Sequence, residues 1–122
     1  MARYRLTKSA KGDIGSVLRT SEERHGRDAR TRYSALLLAA MRRVAEDPEG
    51  RSTSDHSELR PGIRSFHIRH SRGESREAPV ANPVHVIFYR AIQPDVVEIV
   101  RVLHDHMEPR RHIASVNEMR NE

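Results

Sequence analysis

The sequence predicts one α+β domain, residues 1–122, in which an antiparallel helical hairpin packs on a small antiparallel sheet. A chain of 122 residues has room for a single core. Apolar residues recur with a helical period in the first half, whereas the second half carries β-branched runs bounded by turn residues. Because helices come first and strands afterwards, an α+β arrangement is favoured over alternating α/β units. A short C-terminal tail or helix is expected to follow the sheet.

The first strand and helix are predicted from a short run followed by a capping residue. Residues Arg3–Leu6 can form a strand, and Thr7 can then cap a helix with its hydroxyl. Ile14 and Leu18 lie four residues apart on one apolar stripe of that helix. Gly26 is expected to end it, since glycine tolerates the left-handed conformation common at helix ends.

The second helix is the strongest in the sequence. It is predicted from Asp28 to Glu46, with Tyr33, Leu37 and Met41 on a continuous apolar stripe. Pro48 ends it, because the residue before a proline is disfavoured in the helical region. Two helices joined by two or three residues are expected to lie antiparallel.

The second half predicts three further strands separated by loops. Residues 51–60 are polar and are expected to form a loop, and Ile63–Ile68 alternate as a strand. Residues 70–83 have no period and are predicted to be a mobile inserted loop. Two β-branched runs around a turn that contains Pro94 and Asp95 predict a β-hairpin. Residues 114–122 are expected to be a poorly ordered tail.

Composition restricts the function classes. Hydrophobic residues make up 36% of the chain, and even with six glycines added this lies below the ~45–50% typical of apolar residues, so a stabilising partner is expected. The net charge of +5 and the pI near 10.4 favour an anionic partner, although an arginine-rich composition can equally reflect the genome. The absence of cysteine excludes disulfides. With no signal peptide or membrane span recognisable, a cytoplasmic location is expected.

A series of motifs, in order along nearly the whole chain, resembles the ParE toxins of the ParE/RelE superfamily. They are YRLTKSAKGDI at residues 4–14, RHG at 24–26, AEDP at 45–48, RPGIRS at 60–65, HVIFYR at 85–90 and IVRVLH at 99–104 followed by Met107. The resemblance implies the toxin of a type II toxin–antitoxin module that binds and poisons DNA gyrase without being an enzyme. It also implies a ParD-like antitoxin in a hetero-oligomer with the toxin, and no cofactor. Direct binding of nucleic acid stays open.

Two sets of residues are the candidates for these contacts. The predicted target-binding residues lie in and after the last strand: Arg101, His104, Met107, Arg110 and Arg111. The predicted antitoxin-binding residues lie on the apolar stripes of the helices: Ile14, Leu18, Tyr33, Leu37 and Met41.

The related RelE toxins suggest an alternative, a ribosome-dependent mRNA endonuclease. That chemistry needs a general base near neutral pKa and positive charge at the reacting phosphate. The residues that could supply these groups are Arg64, Arg90, Arg101, His104 and His112. The tail follows the ParE pattern, and inhibition is therefore the leading hypothesis.

Two local expectations concern the last strand. Arg101 is expected to share a face with Val97, Ile99 and Leu103 and to be paired with Glu98 or Asp13, because buried charges need partners. His104 and His106 would point the same way in a strand, but no third clear ligand accompanies them, and we predict no metal site.

Overall fold

The computed structural model describes residues 2–113 and contains two α-helices, two 3₁₀ helices and five strands. The strands and α-helices are β1 Arg3–Leu6, α1 Lys8–His25, α2 Arg27–Glu46, β2 Thr53–Asp55, β3 Arg64–His67, β4 His85–Gln93 and β5 Val96–His104. The 3₁₀ helices are Ile68–Ser75 and Pro109–Arg111. The predicted α+β class is confirmed. Within the described residues, no helix has the length and apolar character needed to cross a membrane.

The helical hairpin forms as its boundary residues predict. The hydroxyl of Thr7 accepts a hydrogen bond from the backbone N–H of Ala10 at 3.0 Å, which caps α1. Gly26 joins α1 to α2 with a φ of 92°, a conformation that disfavours residues with a Cβ atom. A one-residue junction leaves the two helices side by side, and they pack against each other.

The sheet is mixed, which corrects the prediction that it is antiparallel throughout. Its strand order is β1-β5-β4-β3-β2. The strands β2 to β5 pair antiparallel, but β1 pairs parallel with β5, with Leu6 opposite Ile99. Two strands joined by a tight hairpin turn must pair antiparallel. Most of the chain lies between β1 and β5, so these two strands can pair parallel.

Two predicted loops contain regular structure. Within residues 51–60, predicted as a loop, β2 pairs with β3 and forms the polar edge of the sheet. The predicted loop 70–83 begins inside the 3₁₀ helix Ile68–Ser75, which is tied to α2 because Arg43 donates hydrogen bonds to the His70 carbonyl and to Glu74, each at 2.8 Å. The mobility of residues 70–83 stays a prediction, and the predicted tail 114–122 lies outside the described residues.

The apolar residues form two clusters, one on each face of the sheet. The inner cluster lies between the helices and the sheet and contains Ala10, Tyr33, Leu36, Leu37, Ala40, Met41, Val44, Phe66, Ile68, Ile87, Tyr89, Val97, Ile99 and Val102. The outer cluster contains Ile63, Phe88, Val100, Leu103 and Ile113. Since alternate residues of a strand point to opposite faces, Phe88 faces away from the helices while its two neighbours face them.

A β-bulge in β5 changes which residues share a face. Tyr89 pairs with Ile99 and Phe88 pairs with Arg101, which leaves Val100 as the extra residue. Ile99 and Arg101 therefore lie on opposite faces, and the prediction that they share one is wrong. Arg101 instead shares the outer face with Leu103.

Candidate functional site

Arg101 joins the first helix to the last strand through Asp13. Its Nε and one terminal nitrogen donate hydrogen bonds to the two carboxylate oxygens of Asp13, at 2.7 and 2.8 Å. The same carboxylate accepts the backbone N–H of Val102 at 3.0 Å. This hydrogen bonding raises the pKa of Arg101 above its usual range. Of the two partners considered from the sequence, Asp13 is observed, while Glu98 pairs with Arg5 and Arg90.

Arg101 also holds the end of the described chain. We call residues 105–113 the terminal segment. The remaining terminal nitrogen of Arg101 donates to the backbone carbonyl of His112 at 2.7 Å. The neighbouring residue Ile113 is 5% exposed and packs in the outer cluster. The segment is therefore anchored at its far end by one hydrogen bond from Arg101 and one buried side chain.

Between these anchors the terminal segment presents an exposed basic and apolar surface. Met107 is 46% exposed and is the one large hydrophobic side chain exposed within residues 2–113. Arg110 and Arg111 are exposed on the short 3₁₀ helix, which the carboxylate of Glu108 caps by accepting the N–H of Arg110 at 3.4 Å. Three of the five predicted target-binding residues, Met107, Arg110 and Arg111, therefore face solvent together.

His104, a fourth predicted target-binding residue, lies in a group of histidines where β3, β4 and β5 meet. It pairs across the strands with His85, and their rings lie 5.6 Å apart. It also stacks on His106 at 5.0 Å. At the end of β3, His67 contacts Asp105 with 3.0 Å between Nε2 and Oδ2, and this hydrogen bond holds the pKa of Asp105 below its usual range.

His85 connects this group to the second helix. Burial first, and repulsion by His104 second, lower the pKa of His85 to about 4, so its ring is neutral at neutral pH. The Tyr33 hydroxyl lies 2.5 Å from His85 Nδ1 and accepts the backbone N–H of Val84 at 3.1 Å. Since that N–H occupies the hydroxyl as acceptor, the tyrosine proton can be donated to the neutral imidazole.

The residues of the ribonuclease alternative do not converge. Arg64 lies on the inner face, opposite Tyr89, and donates to the Pro48 carbonyl and the Thr53 hydroxyl. Arg90 follows Tyr89 on the other face and donates to Glu98 at 3.0 Å. Each guanidinium is thus held by its own partner, as that of Arg101 is by Asp13. His112 is half-buried, and its carbonyl rather than its ring makes the recorded contact.

The predicted antitoxin-binding residues divide into half-buried and buried ones. Ile14 and Leu18 are half-buried at the margin of the inner cluster. Tyr33, Leu37 and Met41 are 9%, 1% and 6% exposed and belong to the core itself. The latter three therefore support the helix pair from within, and a partner would reach them only if the core opened.

Sequence reasoning missed three contributors to this region. Asp13 was named as a possible partner of Arg101 but not as the acceptor for Val102, and His67 and His85 were assigned to strands but not to a site. That His67 and His85 lie at the same end of the adjacent strands β3 and β4 becomes apparent only once the strand register is known. A histidine lies at one end of each of β3, β4 and β5, and this pattern could have indicated that the three rings lie close together.

Comparison with known proteins places this arrangement among toxins. The family described as the ParE toxin of the type II toxin–antitoxin system parDE matches residues 4–109. A protein named Toxin ParE1 from Caulobacter vibrioides is 34% identical over 113 residues, covering 93% of this chain and 99% of the relative. Toxin ParE1 from Mycobacterium tuberculosis is 29% identical over 112 residues, covering 92% and 98%.

A solved structure shares the fold. The chromosomal ParDE toxin–antitoxin system from P. aeruginosa contains a chain that superposes with a TM-score of 0.59 at 11% identity, covering 85% of this chain and 95% of the other.

Proposed function

Because this chain belongs to the family of ParE toxins of type II toxin–antitoxin systems, we propose that it binds and poisons DNA gyrase and that a ParD-like antitoxin neutralises it. On this proposal the toxin acts by occupying its target. It makes and breaks no bond.

One observation favours inhibition over RNA cleavage: the guanidinium groups of Arg64, Arg90 and Arg101 each donate hydrogen bonds to a different partner. Catalysis of phosphate transfer requires several positive groups aimed at one developing charge. Arg64 and Arg90 lie on opposite faces of the sheet, and Arg101 is held by Asp13. Such guanidinium groups stabilise the fold, and they leave recognition to the exposed side chains of the terminal segment.

The terminal segment has the chemistry of a protein-binding surface. Arginine is enriched among the residues that dominate binding energy, and methionine adapts to irregular apolar pockets. Met107, Arg110 and Arg111 supply these groups on a segment fixed at both ends, by β5 and by Ile113. A fixed segment loses less entropy on binding than a flexible one.

Supercoiling by purified gyrase tests the target assignment. The toxin is expected to inhibit supercoiling, and the double variant R110E/R111E is expected to lose at least tenfold in potency. The variant R24E/R27E makes the same charge change at the exposed helix junction and serves as the control. Uninhibited supercoiling by the wild type, together with cleavage of transcripts on ribosomes, would replace gyrase by the ribonuclease alternative.

We place the antitoxin on the outer surface of the helical hairpin. Ile14 and Leu18 are half-buried at the margin of the inner cluster. A shallow groove of about 450 Å³, which they do not line, is formed by Ala35 and Leu38 together with Glu22 of α1 and polar residues of α2. An amphipathic helix laid in such a groove buries its apolar face, which is a common mode of peptide recognition.

A binding assay with the antitoxin tests this surface. L18D is expected to weaken capture of the antitoxin at least tenfold, because it places a charge in an apolar contact. S16D, on the exposed side of the same helix, adds the same charge and is expected to bind normally. Equal capture by both variants would remove this face of the hairpin from the interface.

A further inference from the structure

Three potential metal ligands meet where β5 ends and the terminal segment begins. One ligand atom from each of His104, Asp105 and His106 lies within 4.8 Å of the others. Asp105 Oδ1 is 3.3 Å from His104 Nδ1 and 3.7 Å from His106 Nε2. The carboxylate oxygen therefore lies beside both imidazoles.

We propose that this group binds one divalent transition-metal ion, with Zn²⁺ as the best fit. Two imidazole nitrogens and one carboxylate oxygen form a ligand set that Zn²⁺ accepts, and three protein ligands leave a fourth position for water. Softer ions that require thiolates are disfavoured, since the chain has no cysteine.

The observed spacing is close to what a tetrahedral ion requires. Metal–ligand bonds of about 2.0–2.1 Å place neighbouring ligand atoms about 3.4 Å apart. The distances from Asp105 Oδ1 to His104 Nδ1 and to His106 Nε2, 3.3 and 3.7 Å, already lie near this value. The side chain of His106 is 88% exposed, and its rotation can bring the two imidazole nitrogens closer without disturbing the core.

One hydrogen bond competes with the ion. His104 Nδ1 accepts the backbone N–H of His106 at 3.1 Å. Metal binding at Nδ1 replaces this bond, and the released N–H lies in an exposed turn, where water can accept it.

The surrounding residues orient the ligands in the way that outer-shell partners of metal sites do. The backbone N–H of Arg69 donates to His67 Nδ1 at 3.1 Å, which places the imidazole proton of His67 on Nε2. That proton is donated to Asp105 Oδ2 at 3.0 Å. The other oxygen, Oδ1, remains directed toward the two imidazoles. A ligating carboxylate held by such a hydrogen bond is typical of metal sites.

This arrangement supplies the third ligand that the sequence pattern did not. In a continuous strand, Asp105 would point away from His104 and His106. Because β5 ends at His104 and residues 105 and 106 form a turn, the ligand atoms of all three side chains come within 4.8 Å of one another.

Calorimetric titration of the full chain, purified without a histidine tag, with ZnCl₂ tests the proposal. One saturable site per chain is expected. H106A, whose side chain is exposed, is expected to fold normally and to weaken binding at least tenfold. H25A removes another exposed histidine, at the end of α1, and is expected to bind Zn²⁺ as the wild type does.

His67 is a positioning residue in this proposal, and its variants provide a second test. H67A is expected to weaken binding by about 10–100-fold, the usual effect of losing an outer-shell partner. H67Q keeps an N–H donor near the position of Nε2 and is expected to restore most of the affinity, which a merely space-filling role would not predict.

Three results would overturn the metal site: the absence of saturable binding, equal affinity in H106A and wild type, or loss of binding in H25A. In parallel, nitrogen NMR of the imidazoles is expected to show Zn²⁺-dependent shifts at His104 and His106. Neither measurement involves gyrase or antitoxin, so this site and the proposed function fail independently.

Discussion

The inner face of the sheet is covered by two whole helices, whereas the outer face is covered by short segments around Leu59 and Ile113. Side chains of the inner face interdigitate with long apolar stripes of α1 and α2. The outer face depends on the terminal segment returning over Phe88 and Leu103. Regions with few buried contacts open at lower free energy than the core. The comparison thus separates a scaffold with a large core from a terminal segment that is held on it by few buried contacts.

The largest loss of stability is expected from a cavity in the inner cluster. Leu36 is fully buried, and L36A is expected to lower the free energy of unfolding by about 2–5 kcal/mol. Urea denaturation followed by circular dichroism measures the change. L38A, at a half-buried position of the same helix, is the control with a much smaller expected loss, and equal losses would contradict the assignment of the core.

The second largest loss of stability is expected from D13A, which removes the carboxylate that joins α1 to β5. D13A leaves the guanidinium of Arg101 and the N–H of Val102 without their acceptor. Because charged hydrogen bonds contribute about 1.5–3 kcal/mol each, unfolding is expected to become easier by about 2–3 kcal/mol. Urea denaturation measures this change in the free energy of unfolding as well. The control is D28A, at an exposed position in the first turn of α2. A loss below the control's would show that Asp13 is not an organising residue.

Removing the Tyr33 hydroxyl, where α2 meets β4, is expected to lower the free energy of unfolding by an intermediate amount. Y33F loses the contacts with His85 and with the Val84 N–H but keeps the aromatic ring. The expected cost is about 1–2 kcal/mol, measured by thermal unfolding. Y4F, at a half-buried tyrosine of β1 whose hydroxyl makes no hydrogen bond within residues 2–113, should unfold nearly as the wild type does. A matching decrease there would argue against the Tyr33 contacts.

The smallest global effect is expected on the outer face. I113A is expected to lower the global stability by about 1 kcal/mol or less, because the terminal segment can detach without unfolding the sheet. Amide hydrogen exchange should show faster exchange in residues 105–113 while the inner strands stay protected. Protection lost equally in β4 and β5 would mean that the two faces open as one unit.

The sequence predicted the helices and the hairpin well because their signals are local. Apolar periodicity, the Thr7 cap and Gly26 define α1 and α2 without reference to the rest of the chain. β2 was missed because its three polar residues have no strand pattern and are ordered by pairing with β3. The bulge at Val100 was missed for a related reason, since it is defined only by the pairing with β4.

The candidate site was predicted less completely because it is assembled from distant residues. Asp13 lies 88 positions from Arg101 in the sequence. Glu98, in the same strand as Arg101, was therefore an equal candidate for its partner. The exposure of Met107, Arg110 and Arg111 agrees with the tail that the sequence singled out. Their roles, and those of the helix residues, stay predictions until the binding experiments are done.

The parallel pairing of β1 with β5 has a consequence for how the protein is made. The side chains of Arg5 and Glu98 that meet across these strands are 93 residues apart, and contacts between distant residues form late because a long loop must first close. A chain emerging from the ribosome therefore holds an unpaired first strand until β5 has been synthesised. Products that stop before Val96 lack the strand with which both β1 and β4 pair.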